Sequence, residues 1–156
     1  MKFIFLDIDG VLNYAKCTAK SPTGCIGIDL NKVKLLKEIV EATNAKIILT
    51  STWKTEWCIT NHIEDLSKDA QYLIKQLSQY RLGILDKTAE CAWSRRGQGI
   101  LDYLKNSYCE SFVILDDETF DFIECGLDRY LVKTNYFNDG LTEYHVEKAI
   151  NILNDV

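Results

Sequence analysis

Two aspartates one residue apart, Asp7 and Asp9, follow the apolar run Phe3-Ile4-Phe5-Leu6 and lead into Gly10. A second acidic pair, Asp116-Asp117, follows Phe112-Val113-Ile114-Leu115 in the same way. Paired carboxylates do acid–base and nucleophilic work. Four of them in one place would repel one another unless a cation lay between them. Magnesium suits such a set, because it takes a few carboxylate oxygens together with waters and substrate phosphate at ~2.0–2.1 Å. Each pair also has a plainer reading. Asp9-Gly10 is a favoured hairpin turn, Asp-x-Asp-Gly looks like the opening of a calcium loop, and Asp116-Asp117 could cap a helix. The calcium loop fails on spacing, since its glycine belongs at the sixth position and Thr18 stands where its glutamate is needed.

Two further groups could handle an anion. Thr50-Ser51-Thr52 brings hydroxyls and backbone N–H groups to a strand end just before helical sequence, a geometry that suits an anion and equally suits helix capping. Arg95 and Arg96 stand at the expected start of a helix, where cations face the positive end of the macrodipole at a cost of a few tenths of a kcal/mol. A nearby anion would offset that cost; otherwise both side chains extend into solvent.

For these residues to meet, strands must carry them to one edge. Phe3 to Leu6 suits a strand buried on both faces of a parallel sheet. Residues 14–28 read as irregular, with a turn at Ser21-Pro22-Thr23-Gly24. Asp29 is expected to cap a helix with Leu30, Val33, Leu36 and Val40 at helical spacing, up to about Ala42. Ala45 to Leu49 reads as a second strand. Asn61 and Glu64 form a capping-box pattern, with Ile63, Leu66, Ala70, Leu73 and Leu77 on one helical face. Leu82 to Leu85 is a third strand, Ser94 caps a helix from Arg95 to about Lys105, and Phe112 to Leu115 is a fourth strand. Tyr130 to Val132 is a fifth, and Thr142 opens a closing helix with Val146, Ala149, Ile150 and Leu153 inward. Strands alternating with helices imply an α/β fold: a three-layer, Rossmann-like parallel sheet of about five strands with helices on both faces. Asp7, Thr50 and Asp116 then fall at equivalent strand ends, beyond which such sheets bind ligands. That arrangement weighs against the hairpin reading of Asp9-Gly10.

Residues 1–156 are expected to form one domain, with 47% apolar and 26% charged residues and only one proline and eight glycines, too few for a flexible linker. A net charge of −5 argues against an extended nucleic-acid-binding surface. One lysine and four apolar residues precede Asp7, too few for a secretory or membrane segment, so a cytoplasmic location and no membrane partner are expected. Six cysteines include no C-x-x-C pair, and only His62 and His145 could complete a zinc site, so reduced, mostly buried thiols are expected. Nothing in the residues speaks to oligomeric state.

In order, Phe5-Leu6-Asp7-Ile8-Asp9-Gly10-Val11-Leu12-Asn13, Leu49-Thr50-Ser51, Arg96-Gly97 and Ile114-Leu115-Asp116-Asp117 resemble the four motifs of the haloacid dehalogenase (HAD) superfamily. Trp53, Arg96-Gly97-x-x-Ile100-Leu101 and Gly140-Leu141-Thr142 are similar to the small HAD domains associated with RNA repair proteins. The resemblance implies a magnesium-dependent phosphomonoester hydrolase. Asp7 would be the nucleophile that forms an aspartyl-phosphate, and Asp9 the acid and later the base. Thr50 or Ser51 and Arg96 would bind phosphoryl oxygens. Mg2+ would be held by Asp7, the backbone carbonyl of Asp9 and the Asp116-Asp117 pair, with Asp117 as the direct ligand. Arg95 and Lys87 compete with Arg96 for the basic role. Family dehalogenases lack the second aspartate, so Asp9 implies phosphate chemistry. The short gap after the first motif implies a minimal cap, with residues 60–90 able to form a small helical lid. So open a site suits a phosphorylated small molecule, a nucleotide or a nucleic-acid end. Tyr14, Trp53, Trp57 and Trp93 flank the motifs, as walls or as surfaces on which a base stacks. Two alternatives share these residues: an adaptor domain without turnover, and a phosphotransferase with the same nucleophile.

Overall fold

The computed structural model describes residues 1–155; Val156 and the side chain of Trp93 lie outside the described residues. Its strands are β1 (Lys2–Leu6), β2 (Lys46–Leu49), β3 (Ile84–Lys87), β4 (Ser111–Asp116) and β5 (Leu131–Lys133). Its helices are α1 (Leu30–Thr43), α2 (Lys68–Ser78), α3 (Arg96–Lys105) and α4 (Glu143–Asn154). All neighbouring strands pair in parallel, in the order β3-β2-β1-β4-β5.

Side chains alternate in direction along a strand, so β1 feeds two cores. Ile4 and Leu6 share one cluster with Val33 and Leu36 of α1, Leu73 and Leu77 of α2, and Val146 and Leu153 of α4. Phe3 and Phe5 share the other with Ile48, Ile114, Phe122 and Ile100 of α3. Burial on both faces is why the run shows no polar alternation. Winding proceeds from β1 to β2 and β3 on one side, then resumes at β4 and β5 on the other. Its direction therefore reverses between β1 and β4, and the crevice beyond their carboxyl ends is where such a sheet accepts a ligand. Pairing continues past the strands: the Asp7 N–H donates to Leu115 O at 2.9 Å and the Thr50 N–H to Leu6 O at 2.9 Å.

Local departures have local causes. Asn61 and Glu64 do not start the second helix. Residues Ile63–Asp65 form a single 3-10 turn, and α2 begins only after Ser67, whose hydroxyl accepts from the Ala70 N–H at 3.1 Å. Ala70, Leu73 and Leu77 are buried as expected, while Ile63 is exposed. The third strand starts later than Leu82, because the chain leaves α2 through Arg81 at φ 56° and the Leu82 N–H still bonds back to Leu77 O. Thr142 caps α4 as expected, with the His145 ring in the place a glutamate usually takes: its Nδ1 accepts the Thr142 N–H at 3.0 Å. Residues 60–90 contain that 3-10 turn, α2 and β3, so they include the crossover that joins β2 to β3.

All six cysteines are free, but only Cys17 is buried; Cys25, Cys58 and Cys91 are exposed in connecting segments, where no helix or strand face covers them. Among the described residues no helix is long and apolar enough to cross a membrane.

Candidate active site

Asp7, Asp116 and Asp117 converge beyond β1 and β4. Each offers a carboxylate oxygen, and these oxygens all lie within 4.8 Å of one another. Asp7 and Asp116 are buried and Asp117 is half-buried. Gly10 makes room for the third acid. It holds φ 83°, and a Cβ there would collide with the Asp117 carboxylate. Each oxygen of Asp116 accepts one bond, Oδ2 from Arg96 at 2.7 Å and Oδ1 from the Glu118 N–H at 3.1 Å. No basic side chain pairs with Asp117 among the described residues, which leaves its oxygens freer than those of Asp116 to hold a cation.

Arg96 lies between the two strand-end acids. Its Nη1 stands 3.2 Å from Asp7 Oδ1 and 2.7 Å from Asp116 Oδ2, and its guanidinium stacks 4.4 Å from the centre of the Phe120 ring. Arg95 is exposed, and Lys87 is committed elsewhere, donating at 2.7 Å to both Lys54 O and Trp57 O. The macrodipole conflict at this helix start is relieved by a residue far along the chain. Ser94 does not cap α3; the Asp121 carboxylate does, accepting from the Gly97 N–H at 2.6 Å and the Gln98 N–H at 3.1 Å. Asp121 thus ties the loop after β4 to the helix turn that presents Arg96. Asp121→Ala is expected to lower stability in urea unfolding by about 1–2 kcal/mol, the usual worth of such a cap. Asp121→Asn, whose amide oxygen can still accept, is expected to recover most of it, and equal losses in both variants would contradict the capping role.

Next to Arg96 lies a cavity of about 110 Å³, lined also by Thr50, Thr52, Lys54, Thr55 and Glu90. Thr50 Oγ1 is the buried side-chain polar atom without a hydrogen-bond partner among the described residues. Leaving such an atom unpaired costs ~1–3 kcal/mol, and an anion oxygen in the cavity would satisfy it. Ser51 is distinguished from Thr50 here, because its Oγ accepts the Trp53 N–H at 3.3 Å and so caps the following 3-10 turn. Lys54, which sequence reasoning missed, is buried at the cavity wall. It donates to Thr88 Oγ1 and Ala89 O at 3.0 Å each, and burial pushes its pKa down. Its only signal in the sequence is its place in the turn after Thr50-Ser51-Thr52.

Asp9 is exposed at the mouth. Its Oδ1 accepts from Asn13 Nδ2 at 2.8 Å and its Oδ2 from Trp53 Nε1 at 3.2 Å. Asn13 is buried and fixed in turn by the Gly10 N–H at 2.9 Å and Gly27 O at 3.0 Å. Gly140-Leu141-Thr142 buttresses this loop from behind: the Leu141 N–H donates to Val11 O at 2.9 Å, and a Cβ on Gly140 would meet Asn13 O at 2.7 Å. The Asp9 side chain therefore stands apart from the three clustered acids. Of the flanking aromatics, Trp53 borders the site, Trp57 is buried in the core, and Tyr14 donates to Asp29 at 3.1 Å.

The acid trio is suited to a hard cation, because its donors are all carboxylate oxygens and lie close enough together to turn toward one ion. Burial also raises their proton affinity. Burial, then the neighbouring Asp116, holds Asp7 well above the carboxylate range against the pull of Arg96. Burial likewise pushes Asp116 up to about 6, and raises Asp117. Between the ordinary carboxylate range and these raised values the folded state holds protons that the unfolded chain releases, so metal-free stability falls as pH rises through that window. Thermal melts in EDTA are expected to give a Tm ~5 °C higher at pH 5 than at pH 8, with magnesium raising the pH 8 value. Equal Tm values, indifferent to magnesium, would contradict the clustering of the three acids.

Compared with known protein families, the chain matches the one described as HAD domain in Swiss Army Knife RNA repair proteins, over residues 3–146. No curated protein matches it.

Proposed function

Since the chain belongs to the family of HAD domains in Swiss Army Knife RNA repair proteins, we propose that it is a magnesium-dependent phosphomonoester hydrolase acting through Asp7. One observation carries the reading: Asp7 belongs to an acid trio suited to a cation, and its partner Arg96 lines, with Lys54 and Thr50, a cavity suited to a phosphoryl group. When bound, magnesium, held by Asp7, the Asp9 backbone carbonyl, Asp116 and Asp117, supplies the positive charge that lets carboxylates and a phosphoryl group share the crevice.

Arg96 orients Asp7 through Oδ1 and keeps further N–H donors for phosphoryl oxygens. Thr50 and Lys54 take the remaining oxygens. A carboxylate oxygen of Asp7 attacks phosphorus, the bond to the leaving oxygen breaks, and that oxygen takes the proton of Asp9. Water then attacks the aspartyl-phosphate and gives its proton to the Asp9 carboxylate. The bond between phosphorus and Asp7 breaks, and orthophosphate is released. Asn13 and Trp53 hold Asp9 on the leaving-group side throughout. Positioning and charge neutralisation are most of what phosphoryl transfer asks of a protein.

Substrates on this reading are nucleotides or nucleic-acid ends. Residues 60–90 border the entrance through Asp69 at the start of α2. Incubation with p-nitrophenyl phosphate and magnesium tests the reaction: orthophosphate is expected to appear in step with the phenol, and to stop in EDTA. Phenol release only when an alcohol acceptor is added, without orthophosphate, would favour phosphotransfer, and no release at all would favour an adaptor.

A further inference from the structure

A second cavity, of about 250 Å³, is lined by Asp9, Cys25, Thr52, Trp53, Glu56 and Asp69. Thr52 also lines the cavity of Arg96 and Lys54, so the two spaces adjoin across one side chain. A phosphate seated against Thr50 and Arg96 would have this second space beside it, past Thr52, with Asp9 on its lining. The far wall is built: Asp69 accepts from Thr23 Oγ1 at 2.5 Å, the Thr23 N–H at 3.2 Å and Ser21 Oγ at 3.3 Å, fastening the loop before α1 to the start of α2. The Trp53 indole is held in place by its bond to Asp9.

The two cavities differ in charge. The phosphate side carries Arg96 and Lys54 beside Glu90, whereas among the described residues the second lining carries three carboxylates and no lysine or arginine. A leaving group with a further phosphate would set an anion against Glu56 and Asp69 with no counter-ion. Free hydroxyls would instead donate to those carboxylates, and a flat ring would lie against the indole.

We propose that this cavity is the leaving-group subsite and that it selects a single nucleoside, making the preferred substrate a mononucleotide and not the end of a polynucleotide. This rests on the phosphatase reading above. The test compares kcat/KM for acetyl phosphate, ribose 5-phosphate, a nucleoside 5′-monophosphate and the 5′-phosphorylated dinucleotide and tetranucleotide, in the unmodified protein, Trp53→Leu and Glu56→Lys. The mononucleotide is expected to exceed both oligonucleotides at least tenfold. Trp53→Leu lowers alkyl phosphate hydrolysis through Asp9, but the mononucleotide is expected to lose a further factor of about ten relative to ribose 5-phosphate, whose leaving oxygen needs Asp9 equally but carries no base, as for the loss of one base stack. Glu56→Lys is expected to narrow the gap between mononucleotide and oligonucleotides. Oligonucleotides that match or exceed the mononucleotide, or ratios that neither variant moves, would overturn the subsite. If acetyl phosphate is hydrolysed and the mononucleotide is not preferred, the subsite alone falls. If nothing is hydrolysed, the phosphatase reading falls and the subsite with it.

Discussion

Asp7→Asn is expected to reduce hydrolysis of an aryl phosphate by about 10⁴-fold or more while the protein remains folded. An amide of the same shape fills the space but lacks the anionic oxygen that attacks phosphorus, and losses of this order follow removal of a nucleophile. The substitution also removes one of two buried carboxylates that burden each other: burial and Asp116 raise the proton affinity of Asp7, and Arg96 keeps its 2.7 Å pair with Asp116. The Tm in EDTA is therefore expected to stay level or rise, and the gain on adding magnesium to shrink. Steady-state kinetics and thermal melts on one preparation check both parts. Activity within tenfold of the unmodified protein would overturn the nucleophile assignment, and an unfolded variant would contradict the account of the buried acids.

Arg96→Ala and Arg95→Ala are expected to diverge sharply. Arg96 is only 6% exposed and pairs with Asp7 and Asp116, so its removal leaves two buried carboxylates without their shared cation. Breaking a buried pair in this way costs ~3–5 kcal/mol. Arg95 is exposed, and its truncation belongs with surface changes of about ±0.5 kcal/mol. Phosphate affinity should follow, with inhibition by orthophosphate weakened at least tenfold in Arg96→Ala and nearly unchanged in Arg95→Ala. Urea unfolding and inhibition by orthophosphate measure the two effects, and the opposite ranking would exchange the residues' roles.

What the sequence shows of this site is what depends on strands. Leu6 and Leu115 each end an apolar run at an acid, and because β1 and β4 are neighbours in the sheet, Asp7 and Asp116 meet as the alternation of strands and helices implies. Asp29, Thr142 and the apolar stripe of α1 are also readable, since caps and periodicity act within a few residues. What is hidden depends on contacts distant in sequence. The cap of α3 comes from Asp121, on a loop after the next strand, so Ser94 was the natural expectation from local pattern. Lys54 reads as a solvated turn lysine, and only the approach of Thr88 and Ala89 at the end of β3 buries it. Thr50 and Ser51 are chemically alike in the sequence. The 3-10 turn separates them by occupying the Ser51 oxygen as a cap, while the Thr50 hydroxyl, on a residue lining the cavity, is left without a partner among the described residues. Asn61 and Glu64 match a capping box, but the chain makes one tight turn there and nucleates its helix at Ser67 instead.

The central claim is that Asp7 takes the phosphoryl group in a crevice where Asp9 stands on the leaving-group side. Its most direct test is acid-quench peptide mass spectrometry of Asp9→Asn incubated with p-nitrophenyl phosphate and magnesium. A nitrophenolate leaves without needing a proton, so the first step proceeds, whereas the water of the second step lacks its base. The phosphoryl group is expected to accumulate on the peptide containing Asp7, at Asp7 itself. Turnover without any phosphorylated peptide, or phosphorylation at another residue, would contradict the account.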